Sequence, residues 1–124
     1  MIDFQNASVF KLSPVPTQEG ANAVAALLIQ DEQVLASFKT VRDMVVFTNK
    51  RVIAINSQGL TGRKKDFTSL PYAKVQAFSV ETAGTFDLDS ELELWFSGLG
   101  RVRFEFRGKV DIRWLGQLIA SYAL

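Results

Sequence analysis

The chain contains no cysteine and no histidine. Those two absences exclude disulfide cross-links, thiol nucleophiles, imidazole general bases and any zinc site built from Cys or His ligands. Long apolar runs are also missing. The longest, Ala23–Ile29, is about a third of the roughly 20 residues needed to span a bilayer, and polar residues flank it. The first ten residues, MIDFQNASVF, lack a basic stretch leading into an apolar one, so no signal peptide is expected and a cytoplasmic location is. Neither sign of charge dominates, the net charge being +1, and that argues against nucleic acid as a partner.

What is present is the composition of one compact domain: 124 residues, 48% apolar and 22% charged. The charge is segregated along the chain. Residues 41–75 hold seven bases and two acids, whereas residues 76–100 hold five acids and no base. Segregation of this kind bears on association more than on folding.

Pro14 and Pro16 mark residues 1–16 as a loosely held N-terminal arm, with the domain proper expected over 17–124. Thr17 is a candidate cap for a short helix over 18–30, whose buried stripe is Val24, Leu27 and Leu28; Gly20 weakens its first turn. From Val34 the apolar period changes to two. Strands are expected over 34–38, 44–48, 51–56, 63–70 and 75–82, with Asn49-Lys50 as a tight hairpin turn and Pro71 ending the fourth. Leu92, Leu94 and Phe96 alternate with Glu91, Glu93 and Trp95, and Val102, Phe104 and Phe106 alternate with Arg101, Arg103 and Glu105. Placing Phe96 opposite Val102 keeps both apolar sets on one face. It sets Trp95 beside Arg103 and Glu91 beside Arg107, with Gly100 in the left-handed position of the turn. Asp111 can cap a C-terminal helix over 112–122. The architecture expected is mainly β: a seven-stranded antiparallel barrel capped by that helix, with a short helix near the N-terminus.

Two segments carry a resemblance. FTNKRVIAI, followed by GLTGRKKDFTSLPYAKVQAFSVETAGTFDLD, resembles the bacterial pleckstrin-homology-like (PH-like) domain family over about residues 18–122. The combination of T-N-K-R with S-L-P-Y is what makes the match specific. The resemblance implies a PH-type barrel and self-assembly into a homo-oligomeric ring of five subunits; as the residues offer no catalytic constellation, a binding or scaffolding role without catalysis is expected. Eukaryotic PH domains that hold phosphoinositides use a long basic loop between their first two strands; here that connection is the short Val41-Arg42-Asp43.

The chemistry-bearing residues divide into a few groups. Arg63, Lys64 and Lys65 are the densest basic run and a candidate anion or lipid site, or else a charged strand edge. Asp87, Asp89 and Glu91 are spaced D-x-D-x-E but lack the ligand set and central Gly of an EF-hand, and no metal or other cofactor is expected. Glu91 and Glu93, or Ser69 with Lys74, show no spacing that builds a catalytic centre. Trp114, Leu118 and Tyr122 form a second apolar line on the C-terminal helix, beside the stripe of Ile112, Leu115 and Ile119. That surplus marks a candidate oligomer interface. The expected partners are copies of the chain itself and an unidentified protein, with an anionic membrane surface as the rival.

Overall fold

The structure is a computed structural model, and residues 1, 4 and 9–124 are described. Alternating apolar and polar residues fold as expected into strands: β2 (Val34–Lys39), β3 (Met44–Thr48), β4 (Arg51–Gln58), β5 (Lys64–Pro71), β6 (Val75–Glu81), β7 (Ser90–Phe96) and β8 (Gly100–Phe106). An eighth strand, β1 (Val9–Val15), lies within the segment expected to be a loose arm. It pairs antiparallel with β2 and parallel with β8, joining two meanders into one sheet ordered β5-β4-β3-β2-β1-β8-β7-β6. Pro14 is tolerated because pairing with β8 stops at Leu12↔Phe106. Beyond that point β1 has a neighbour on one side only, and a residue without an N–H is acceptable there.

The sheet coils around its core without closing. Strands β5 and β6 are its two free edges, joined in sequence through a 3-10 turn at Tyr72–Lys74. The buried face collects Leu12, Phe38, Phe47, Leu92, Leu94, Phe104 and Phe106, with Phe38 edge-on to both Phe47 and Phe106. Helix α2 (Ile112–Ala123) contributes Ile112, Leu115, Leu118 and Ile119 to the same core. The side chain of Asp111 accepts from the Trp114 N–H, as a cap does.

Helix α1 (Thr17–Val24) is shorter than the 18–30 segment expected, and Thr17 sits inside it rather than capping it; Pro16 is the boundary residue. Its role is to cover the outer face of β3 and β4, where Val24, Val46, Ile53 and Ile55 make a second small core. Gly20 is the contact point. A Cβ there would stand 1.8 Å from Ser37 Oγ, so the glycine that weakens the helix is what lets it touch the sheet. Residues 25–33 then lead to the β3–β4 turn, where Glu32 is bonded by Thr48 and Arg51.

The β7–β8 register is two residues from the one expected. Phe96 faces Gly100 and Leu94 faces Val102, so Trp95 lies beside Arg101 and Glu91 beside Glu105. A shift of two leaves every side chain on its own face, and alternation therefore cannot detect it. Gly100 does take a positive φ of 91°.

Candidate functional site

Two turns at opposite ends of the β3–β4–β5 meander place most of its charge. At the β3–β4 turn the side chain of Glu32 is fully enclosed. Its Oε2 accepts from Thr48 Oγ1 (2.7 Å) and Arg51 Nε (2.9 Å), and its Oε1 accepts from Arg51 Nη2 (3.0 Å) and the Ile29 N–H (3.1 Å). Arg51 also donates to the Leu27 carbonyl (2.7 Å) and to Ser69 Oγ (3.0 Å). The buried hydroxyl of Tyr72 donates to the Thr48 carbonyl at 2.7 Å. Burial alone would raise the Glu32 carboxyl, but the bonds from Arg51, Thr48 and the Ile29 N–H outweigh it and hold the group below its ordinary value. Burial, with Tyr122 and Glu32 nearby, pushes the Tyr72 phenol far up. Residues of T-N-K-R and S-L-P-Y thus meet here, with Thr48, Leu70 and Tyr72 buried and Arg51 bonded to Ser69 at the surface.

The other end of the meander is open. The β2–β3 turn spans Thr40–Asp43, with the Thr40 N–H bonded to the Asp43 carbonyl at 2.8 Å. Arg42 Nη2 crosses to the β4–β5 turn and donates to the carbonyls of Ser57 (3.2 Å) and Gly59 (2.9 Å). Two adjoining clefts flank Arg42. One, of about 230 Å³, lies between α1 and β3–β5; Ala23, Met44, Ile55 and Phe67 form its apolar walls, and its charged ones are Lys39, Arg42 and Lys65 together with Glu19 and Asp43. The other, of about 670 Å³, is lined by Lys11, Lys39, Arg42 and Arg107. Arg63, Lys64 and Lys65 follow the β4–β5 turn and are exposed, with Lys64 and Lys65 opening edge strand β5. Lys65 Nζ reaches only Ser57 Oγ, at 3.1 Å, among the described residues. Val41 and Leu60, at the tips of the two turns, are wholly exposed.

With that geometry in view, comparison with known proteins is decisive. The family model for the bacterial PH domain matches residues 3–123. The chain belongs to the bacterial PH domain family. Uncharacterized protein YjqA of Bacillus subtilis strain 168 is 45% identical over 121 residues, covering 96% of this chain and 93% of the relative. Among solved structures, a pleckstrin-homology domain protein from Shewanella loihica PV-4 is 40% identical. It superposes with a TM-score of 0.78 over 92% of this chain and 98% of its own. The pleckstrin homology domain from Shewanella amazonensis SB2B is 41% identical, with a TM-score of 0.66 over 96% and 93% of the two chains.

The outer face of β6, β7 and β8 in this bacterial PH domain is acidic. Glu81, Glu91 and Glu105 stand in a row across β6, β7 and β8. Arg103 hydrogen-bonds Glu91 and lies 4.0 Å from Glu93, and Arg101 lies 3.8 Å from Glu93. Burial pushes the Glu105 carboxyl above its ordinary value, and the nearby Glu91 and Asp89 add to the shift. Asp87 and Asp89 are in the exposed β6–β7 loop, where Asp87 Oδ1 accepts the Asp89 N–H at 3.0 Å. Among the described residues no three acids are grouped to hold a metal ion.

The apolar line on α2 divides. Leu118 is buried in the core of this PH domain, because the helix packs on β6, β7 and the 3-10 turn and turns more than its Ile112–Leu115–Ile119 stripe inward. Tyr122 stacks on Tyr72 at 6.0 Å and is 48% exposed, and Trp114 is 40% exposed. Of the three, Trp114 and Tyr122 remain on the surface. Ser69, drawn as one half of a Ser–Lys pair, is instead bonded by Arg51. Sequence reasoning missed Glu32 and the cleft beneath Arg42, since both depend on which loops the sheet brings together.

Proposed function

We propose that this bacterial PH domain is a non-catalytic module that joins copies of itself head to tail into a closed ring and presents that ring to a protein partner. One observation carries the reading: β6 is a free sheet edge whose first six residues, Val75–Val80, carry no charge and no proline. Native proteins protect such edges with charge, proline or a cover, because the open N–H and C=O groups recruit another strand. Here the other free edge, β5, supplies the complement. It opens on Lys64 and Lys65, while β6 runs into Glu81, Asp87 and Asp89. Unlike edges meeting head to tail form a heterologous contact that closes into a ring when the rotation allows. Five subunits is the number the family resemblance implies.

The test is absolute mass by light scattering after size exclusion. A mass several times 13.8 kDa supports the ring, and a monomer at all concentrations removes it. If that mass is unchanged between low salt and about 0.5 M, where screening is strong, the backbone edges and not the charges join the subunits.

The second reading is peripheral binding to anionic lipid. It is favoured by the exposed Leu60 beside Arg63, Lys64 and Lys65, an apolar tip within a basic rim. Sedimentation with anionic and with neutral vesicles separates the two readings. Binding that persists when Arg63, Lys64 and Lys65 are all alanine sinks this one.

A further inference from the structure

The larger of the two clefts beside Arg42, about 670 Å³, gathers positive charge from three strands that are far apart in sequence. β1 brings Lys11, the end of β2 brings Lys39, and Arg107 follows β8. Their meeting is a matter of register. Ser13 pairs with Lys39; one step earlier Leu12 pairs with Phe106, and the Arg107 N–H bonds the Leu12 carbonyl at 2.9 Å. Lys39, Ser13 and Arg107 therefore stand in a row across three strands, with the Thr40–Asp43 turn beside them. Two acids border the row. Glu19 meets Lys39 at 3.0 Å, and the Asp43 carboxylate accepts from the Asn56 side-chain amide at 2.9 Å. Lys11, Arg42 and Arg107 have no carboxylate partner among the described residues, and the bonds of Arg42 go to the uncharged carbonyls of Ser57 and Gly59. Four bases against two acids leave an excess of two positive charges in one concave site, where the field is focused.

Lys11 carries a second mark. Its φ is 54°, in the left-handed region that Gly adopts freely and that Lys adopts only under constraint. The constraint is a bulge. Between paired residues β1 takes three steps, from Val9 to Leu12, while β8 takes two, from Phe104 to Phe106. Bulges re-aim side chains beside binding sites, and strained backbone collects at ligand clamps. What this bulge brings to the wall of the cleft is a cation, at a position whose backbone is suited to glycine.

We propose that Lys11, Arg42 and Arg107 bind the terminal phosphate of a phosphorylated ligand, a phosphomonoester or a diphosphate. Such a group carries close to two negative charges at neutral pH, which matches the excess in the cleft, whereas a single carboxylate meets only half of it. Guanidinium groups pair with phosphate oxygens two at a time, and the lysine adds a point charge. The same group terminates soluble phosphorylated metabolites and phosphomonoester lipids. The site shares no residue with the run of Arg63, Lys64 and Lys65, and it stands whether or not copies of the chain assemble.

The test is calorimetric titration of the full chain with sodium pyrophosphate at fixed ionic strength, beside sedimentation with vesicles containing phosphatidic acid or, at matched charge, phosphatidylglycerol. Arg107→Gln should weaken binding by roughly tenfold or more, as loss of a charged hydrogen bond does. Lys74→Gln removes the same charge from an exposed position outside the cleft and should leave binding unchanged. Lys11→Gly separates ligand from backbone: glycine relieves the positive φ, so the melting temperature should rise while binding weakens. Pyrophosphate binding that both cleft variants weaken supports the site and identifies a soluble ligand. Binding to phosphatidic acid vesicles alone, preferred over phosphatidylglycerol and weakened by the same variants, supports the site and identifies a lipid headgroup. No binding to either probe, or binding that Lys74→Gln weakens as much as the cleft variants do, overturns the proposal.

Discussion

The two turns of the β3–β4–β5 meander use the same residue types for opposite ends. At the β3–β4 turn Arg51 is surrounded by oxygen, its charge met by Glu32 and its remaining donors by Leu27 and Ser69. At the β4–β5 turn Arg63 and Lys64 stand in water, and Lys65 meets only a hydroxyl. The segments that make the family recognisable, T-N-K-R and S-L-P-Y, belong to the first turn. A sequence signature here records how a corner is locked, and the surfaces able to meet a partner lie where the signature is silent.

That contrast can be broken most directly at the lock. Arg51→Ala leaves the Glu32 carboxylate enclosed without its partner, and denaturant melts should show a loss of about 3–5 kcal/mol. If the loss is no greater than for Arg63→Ala, the two turns do not differ as described. Gly20→Ala should follow at about 1–3 kcal/mol, since its Cβ would overlap Ser37 Oγ and α1 would have to lift from the sheet. Tyr72→Phe removes one buried hydrogen bond and should lower stability by about 1–2 kcal/mol in the same melts, with the Thr48 carbonyl left unsatisfied.

The acidic face sharpens the comparison through pH. The Glu32 carboxyl lies below its ordinary value of 4.5, so its stabilisation is present above that pH and is lost as pH falls through the lowered value. The Glu105 carboxyl lies above 4.5, so its contribution is full below that pH and is lost as pH rises through the raised value. Glu105→Gln should therefore stabilise the protein at neutral pH, by about 0.2–1 kcal/mol as befits relief of the facing Glu91, and flatten the profile above 4.5. Thermal melts across pH 3–8 read both signs. The smallest effect belongs to the open turn. Replacing Arg63, Lys64 or Lys65 singly by alanine should leave stability within about 0.5 kcal/mol, whatever it does to binding.

The strands were legible because their side chains alternate, and α2 because its apolar stripe and Asp111 agree. What the sequence could not convey was relational. Pro14 and Pro16 read as breakers, yet β1 forms because Pro14 falls just past the last pairing with β8. The β7–β8 register differs by an even number, which alternation cannot see. Leu118 and Tyr122 look equivalent along the helix, yet Leu118 is buried in the core while Tyr122 stacks on Tyr72 and stays half-exposed. Of the candidate site, the basic run was plain in the sequence, whereas the Arg42 cleft exists only once α1, the β2–β3 turn and strands β3–β5 come together.

The parallel seam between β1 and β8 has a consequence for the order in which the molecule is made. Each meander can zip from hairpins whose strands are neighbours in the chain, on the timescale of microseconds. Val9 and Phe104, by contrast, are separated by 95 positions, and their encounter bears a large loop-closure entropy that local contacts do not repay. The seam is thus the last part to form. Until it does, the slot for Leu12 beside Phe106 stands open between two half-built ribbons, and that is the interval in which the nascent chain is most exposed to pairing with the wrong neighbour.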